Sequence, residues 1–382
     1  MKPLHRILMA VEPGKDGVFA VVCDLVRWLH FQHPEIEVDL AYSSRRQLGG
    51  ADALAEEVER HGGEAVDLEV SNAPEFGDFV AAARIRSLVR RRRPQVVHCH
   101  SSKAGALCRL LAMAGGFPPV IYTPHAYYGV ARAGGVKEMF YNGIERVLGR
   151  VGITACCSPD EKAFAMEVLH LDPSRLVVVN NGIDTDVFSP ASPDEKVALR
   201  EKLGIPVDGK LLVTVGRDSP QKNYEPLYAA LGRVLSADCG IRFAHAGEGA
   251  EERRAALPVA AVKRVRAFNH LKAPQDLLRA ADGFILASHY EGLSLSMLEA
   301  LSCGLRLILT DVPGLRTVRE MGLDSVIWLP GSAPGATDVE KAIREWRETA
   351  AESDPRQREL AIREFDQRRQ FEKLVELYRT VA

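Results

Sequence analysis

Apolar positions along this chain gather into short uninterrupted runs, separated by longer amphipathic segments. Runs at Arg6–Val11, Val38–Ser43, Gln95–His100, Val120–Pro124, Gly152–Cys157 and Leu176–Asn180 predict a first series of strands. A second series follows at Leu211–Gly216, Arg242–Ala246, Val262–Phe268, Gly283–Ala287, Leu305–Thr310 and Val326–Leu329. Such runs suit strands covered on both faces of a parallel sheet. Between the first two, Val18, Val21, Val22, Leu25, Val26 and Leu29 keep i, i+3, i+4 spacing and predict a helix with one buried face. Alternation of strand and helix builds doubly wound α/β domains. The pattern occurs twice and predicts two similar halves.

Pro190 and Pro193 bracket a small polar stretch, so the join is placed at Ser189–Asp194. The segment Phe371–Tyr378 is amphipathic and predicts a closing helix. Ligands of open α/β sheets lie beyond the carboxyl ends of the strands. Two such domains facing across a cleft would gather their chemistry there.

The length of 382 residues agrees with two domains rather than one core. A net charge of −2 argues against a dedicated nucleic-acid binder. The charge is uneven, however. Twelve Lys/Arg face two acids between Phe79 and Arg150, and twelve acids face three arginines between Glu35 and Asp78. This describes either two solvated faces or a basic surface for anionic lipid or a phosphorylated acceptor. The seven cysteines form no C-x-x-C pair, as expected of buried thiols in a cytosolic protein, and no zinc site is predicted. The N-terminus shows no signal-peptide layout, and no apolar run is long enough to span a bilayer.

Candidate chemistry sits at the strand ends. After the first strand, Glu12–Gly17 is a glycine-bearing loop before a helix, either an anion site or an ordinary turn. It lacks the G-x-G-x-x-G spacing of a dinucleotide site, so NAD is disfavoured. Ser101, Ser102, Lys103, Ala104 and Gly105 open another helix, either as a site for a polar acceptor or phosphate or as a well-capped start. His125, with Tyr127 and Tyr128, follows the strand ending at Thr123, where an aromatic face and an imidazole suit carbohydrate. Arg217 and Lys222 flank Pro220 before a helix and could grip a diphosphate. Gly247 and Gly249 allow either close approach to a ligand or a tight turn. Glu291 and Glu299 bracket a Glu-Gly turn and a helix, so both carboxylates can accept from vicinal hydroxyls. The N–H groups after Gly292 can meet a phosphate.

Together these motifs resemble the retaining glycosyltransferases of family four, over nearly the whole length. The resemblance rests on Gly17, Ser101–Gly105, Thr123–His125, Asn180–Asp184, Gly216–Lys222, Gly247–Gly249 and the E-x7-E frame from Glu291 to Glu299. Asn223 departs from it, since the family commonly carries Gly after that Lys.

The resemblance implies an α/β GT-B fold, with an acceptor-side domain over residues 1–188 and a nucleotide-sugar donor domain over 189–365. Residues 366–382 would form a helix packing back on the first domain. Glu299 would hold the ribose, Glu291 the transferred sugar, and Arg217 and Lys222 the diphosphate. Gly247, Gly292, Leu293 and Ser294 would line the donor, with Leu271 at the base. Gly17 would let the first domain close on the diphosphate. His125 would contact the sugar or acceptor, with Ser101, Ser102, Lys103 and Tyr127 on the acceptor side.

A UDP-sugar is favoured as donor, with a GDP-sugar as the alternative and no metal required. The expected product belongs to capsule, O-antigen or exopolysaccharide assembly on a lipid-linked acceptor. The expected location is the cytoplasm, peripheral at the inner membrane face through the basic region 79–150, where Arg90–Arg93 is the densest cluster. Two rivals keep much of this. A sugar-nucleotide 2-epimerase would need no acceptor, which leaves Ser101–Gly105 and His125 without a use. A non-catalytic two-domain sugar-binding protein leaves the paired cations unexplained.

Overall fold

The computed structural model describes every residue except 1–2, 13–15, 47–49, 72–73, 132–133, 238–239, 324 and 349–353. The chain divides into two compact units, Met1–Asn181 with Arg368–Ala382, and Gly182–Gln367.

Unit 1 is built on a seven-stranded sheet in the order β3-β2-β1-β4-β5-β6-β7. Its strands are β1 (Arg6–Val11), β2 (Glu37–Tyr42), β3 (Ala65–Asp67), β4 (Val96–His100), β5 (Val120–Thr123), β6 (Ile153–Cys156) and β7 (Leu176–Val178). All pairings are parallel. The helices are α1 (Asp16–Gln32), α2 (Gly50–Arg60), α3 (Gly77–Arg92), α4 (Ser102–Met113), α5 (Gly135–Leu148) and α6 (Pro159–Glu167). Every residue of β4 and β5 is buried, which explains their unbroken apolar character. Register pairs Val11 with His100 and His100 with Thr123, so β1, β4 and β5 end level at one edge of the sheet.

The helix Gln367–Val381 belongs to unit 1 by packing. Phe371, Leu374, Val375 and Tyr378 are buried in one core with Val22, Leu25 and Leu29 of α1. Each such side chain contributes about 1.5–3 kcal/mol by leaving water.

Unit 2 carries a six-stranded parallel sheet in the order β10-β9-β8-β11-β12-β13. The strands are β8 (Lys210–Val215), β9 (Ile241–Ala246), β10 (Val265–Phe268), β11 (Gly283–Leu286), β12 (Arg306–Thr310) and β13 (Ile327–Leu329). Val215 pairs with Ala246 and Ala246 with Phe268, so the loops after β8, β9 and β10 emerge side by side. The Pro190–Pro193 stretch lies inside unit 2 and starts the helix Pro193–Lys202. Ser192 and Glu195 cap that start reciprocally.

All twelve strand segments expected from the apolar runs are present. The additional one, β3, is a three-residue edge strand without a fully buried position. So short a segment carries little apolar signal.

Candidate active site

In unit 2 the loops after β8 and β11 are sewn together around one carboxylate. Glu291 is buried. Its Oε1 accepts from Lys222 Nζ at 2.8 Å and from Ser288 Oγ at 2.7 Å. Its Oε2 accepts from Gln221 Nε2 at 3.3 Å. Gln221 Nε2 also donates to the Tyr290 carbonyl at 3.0 Å, and the His289 N–H donates to the Gln221 carbonyl at 2.8 Å. The carboxylate is thus charge-paired and fixed in rotamer before any ligand arrives. Gly314, at φ +81°, makes room beneath it: a Cβ there would stand 2.6 Å from the Glu291 carbonyl oxygen and 2.5 Å from that of Gly292.

The loops after β8 and β9 touch backbone to backbone. A Cβ on Gly247 would stand 2.0 Å from the Gly216 carbonyl oxygen, so only glycine fits. That carbonyl is held by His245 Nε2 at 2.7 Å and by the Tyr224 hydroxyl at 3.2 Å. The Tyr228 hydroxyl lies 2.9 Å from His245 Nδ1. Burial pushes His245 down to about 4, so the ring is neutral. Its Nε2–H donates to the carbonyl and its Nδ1 accepts from Tyr228. Asp218, next to Arg217, is gripped by Arg253 through two hydrogen bonds of 2.6 and 3.1 Å. Arg217 itself is exposed.

Beside Gly247, an open pocket of about 350 Å³ is lined by Val215, Ala246, Asn269, His270 and Leu271. Ser294 caps the helix Leu295–Ser302 by accepting from the Met297 N–H. Leu293 is buried, whereas Gly292 and Glu299 are partly exposed. Of the residues expected at a donor, unit 2 therefore brings Lys222 and Glu291 into direct contact. Gly247 and Leu271 line one pocket. Sequence reasoning missed Ser288, which meets Glu291 within one loop, and Gln221, His245 and Gly314, whose roles depend on contacts between distant segments.

In unit 1 the level ends of β4 and β5 carry three histidines. His98 Nε2 lies 2.9 Å from Thr123 Oγ1, and its Nδ1 lies 2.6 Å from the Tyr378 hydroxyl on the C-terminal helix. His100 Nδ1 lies 2.9 Å from His125 Nε2. Burial depresses His98 to about 3, His125 to about 4 and His100 well below its ordinary value. All three are neutral at neutral pH.

His125 and Ala126 both have left-handed backbones, φ +56° and +99°, unusual for two successive residues with side chains. Buried Glu161 holds them there. Its Oε1 accepts from the Ala126 N–H at 2.7 Å, and its Oε2 from the Cys157 N–H at 2.7 Å. Ser102 is exposed at the start of α4, and Ser101 Oγ lies 3.5 Å from Glu12 Oε2. Lys103 is ion-paired with Asp78 at 2.7 Å. Tyr127, expected at an acceptor, is 2% exposed and stacks on Phe164, so it supports the loop from within. Gly17 is exposed in the first turn of α1, and Pro13–Lys15 before it lie outside the described residues. Among the described residues, no group of His, Cys, Asp and Glu is arranged to hold a metal.

Two of the four arginines at the end of α3 are neutralised by the protein itself. Arg92 pairs with Asp39 and Glu37, and Arg91 with Glu64.

Residues 15–187 match the family model described as Glycosyltransferase Family 4, and residues 195–359 match that of Glycosyl transferases group 1. The chain is 29% identical over 247 residues to the UDP-Gal:alpha-D-GlcNAc-diphosphoundecaprenol alpha-1,3-galactosyltransferase of Escherichia coli, over 62% of this chain and 63% of that one. It spans about three fifths of the length of the curated relatives it matches. Among solved structures, it is similar to sucrose-phosphate synthase from Thermosynechococcus elongatus (TM-score 0.77, 16% identity, 98% of each chain). It is also similar to HepE of Anabaena in complex with UDP and glucose (TM-score 0.75, 17% identity, 98% of this chain and 100% of that one). At these identities the likeness is one of fold, two Rossmann-like parallel-sheet domains of the GT-B class.

Proposed function

The chain belongs to glycosyltransferase family 4, and from that premise we propose that it moves a sugar from a UDP-sugar to a hydroxyl of a lipid-linked glycan, with retention at the anomeric carbon. The carrying observation is the buried Glu291–Lys222 pair at the carboxyl edge of the unit 2 sheet. Support for the donor comes from HepE, whose structure holds UDP and glucose. Support for the acceptor comes from the E. coli relative, named for a diphosphoundecaprenol-linked sugar. The product would enter cell-surface polysaccharide assembly.

In this scheme Lys222 and Arg217 stabilise the negative charge that builds on the diphosphate as the C1–O bond breaks. The acceptor oxygen bonds to C1 on the face that UDP leaves, and its proton passes to the departing phosphate oxygen. Glu291 orients hydroxyls of the transferred sugar, and Glu299 accepts from the ribose. Gly247 admits the diphosphate close to the backbone, Leu271 packs on the base, and Gly292, Leu293 and Ser294 present the helix start to the donor. His125, a neutral imidazole, hydrogen-bonds the sugar or acceptor, and Ser101, Ser102 and Lys103 lie on the acceptor side. On this reading the enzyme would work at the inner face of the cytoplasmic membrane. Among the described residues, no helix is long and apolar enough to cross a membrane.

The test is transfer from a panel of UDP- and GDP-sugars to a polyprenyl-diphosphate-linked sugar, followed by product isolation. A UDP-sugar should give product with retained configuration. Glu291→Ala and Lys222→Ala should each lose on the order of 10²-fold in turnover. Undiminished transfer by both variants contradicts the site assignment.

A further inference from the structure

Soluble proteins rarely leave large apolar side chains exposed side by side. Helix α5 does so along one line. Val136 is 84% exposed, Met139 73%, Phe140 58% and Val147 51%. The spacing i, i+3, i+4, i+11 puts all four on one face, with Gly143 between them. The opposite face of the same helix is buried through Asn142, Glu145 and Leu148. The outward stripe is therefore not the core side of an ordinary amphipathic helix.

Aromatic rings with polar tips stand beside the stripe. Tyr141 lies 5.5 Å from Phe140 and 4.7 Å from Tyr128, ring centre to ring centre. The Lys137 ammonium stands 5.7 Å over the Tyr128 ring. Helix α4 packs against both α5 and α3. It exposes Leu110 and Met113, and the start of α3 exposes Phe76 and Phe79.

The charges bordering the stripe have one sign. Lys137, Arg146 and Arg150 are exposed. The two acids of α5 are turned to other work. Glu138 accepts from the Gly134 N–H, and Glu145 is buried against Arg109 and Tyr122. An apolar line with Tyr and Phe at its side and cations at its rim is the pattern of a helix lying in a bilayer interface. Each cation near an anionic surface strengthens the attraction, and salt weakens it. A second copy of this chain fits less well, because a symmetric contact would bring the same cations face to face.

We propose that α5, with Tyr128 and Tyr141 beside it, is the surface by which this protein docks on an anionic bilayer. The proposal deepens the lipid-linked acceptor of the preceding section and rests on it for its purpose. It moves the membrane contact away from Arg90–Arg93, where Arg91 and Arg92 are paired internally.

The test uses the full chain. Vesicles of phosphatidylcholine alone and of phosphatidylcholine with phosphatidylglycerol are sedimented with wild type, with the double variant Met139→Glu/Phe140→Glu, and with Lys137→Glu/Arg146→Glu. Wild type should sediment with the phosphatidylglycerol vesicles, less so as salt is raised. The double variant should bind at least tenfold more weakly, and the charge variant should lose the preference for anionic lipid. The Met139/Phe140 variant should melt like wild type, because its altered side chains are exposed, and the Lys137/Arg146 variant slightly lower, because Arg146 gives up a hydrogen bond to the Val168 carbonyl.

Transfer to a water-soluble short-chain acceptor is measured in parallel. It should be unchanged in both variants, so failure of the proposed activity is told apart from failure of docking. Wild type remaining in the supernatant, or equal binding by the Met139/Phe140 variant, would overturn the proposal. So would a wild-type dimer that this variant converts to monomer without any lipid binding.

Discussion

The two units place polar groups at equivalent sheet edges and use opposite electrostatics. The unit 2 edge is organised around a charge pair, Glu291 with Lys222, and a second pair, Asp218 with Arg253. The unit 1 edge is organised around neutral rings: His98 bonded to Thr123 and Tyr378, and His100 bonded to His125. A cationic lysine beside backbone glycines suits a polyanion. A cluster of neutral imidazoles suits uncharged hydroxyls, which need donors and acceptors without a fixed charge. The difference teaches that one α/β architecture can be specialised at its strand ends while its sheet stays the same.

Acid should break the comparison most forcefully. Burial depresses His98 to about 3, His30 and His125 to about 4, and His100 well below its ordinary value, all in unit 1. In unit 2, His245 is similarly depressed to about 4. An unfolded histidine takes up a proton near pH 6.5, whereas these folded rings resist it. Their stabilisation is therefore complete above pH 6.5 and falls as the pH drops below that value, because the unfolded chain then binds more protons than the folded one. Unit 1, with four of these depressed rings against one in unit 2, should lose more stability and open first. Hydrogen exchange at pH 5 and pH 7 checks this, and earlier opening of β8–β13 than of β1–β7 would contradict it.

Gly247→Val strikes the proposed donor side alone. Its side chain would be driven into the Gly216 carbonyl, displacing the loops after β8 and β9. Turnover should fall on the order of 10²–10³-fold, equivalent to roughly 3–4 kcal/mol. Unit 1 should keep its exchange protection.

Glu161→Gln strikes the other side. The amide keeps one acceptor for the N–H groups of Ala126 and Cys157 and turns an NH2 toward the other. The left-handed His125–Ala126 segment should relax, costing about 1–3 kcal/mol of stability. Transfer should fall roughly tenfold, because a residue acting through another matters less than one at the reacting centre. UDP affinity should not change, which separates this positioning role from damage to the donor site.

Much of the fold was legible because buried parallel strands announce themselves as unbroken apolar runs. Ile7–Val11 and Leu211–Val215 need no partner to be recognised. Edge strand β3 was not legible, since Ala65–Asp67 has one large apolar residue. Pro190–Pro193 announces a local break, but a break also starts a helix, and Ser192 caps one there. Glu291, Lys222 and Gly247 stood out because glycine, acid and lysine at strand ends carry a recognisable pattern. His245 and Glu161 did not, because their work is done on groups 29 and 35 residues away. The burial of Tyr127 was not legible for a related reason, since sequence gives the ring but not the side on which Phe164 lies. The exposed stripe on α5 was hidden too, because apolar periodicity tells that a helix has a face and not which way it points.

On the proposed reading, the unit 2 edge binds the UDP part of a nucleotide-sugar through Lys222. Calorimetric titration of UDP into wild type and Lys222→Ala tests it most directly, with Glu161→Gln as a control for altered folding elsewhere. Wild type should bind UDP, Lys222→Ala should bind at least tenfold more weakly, about 1.4 kcal/mol, and the control should match wild type. Equal affinity in wild type and Lys222→Ala, or no UDP binding by wild type, would contradict the account.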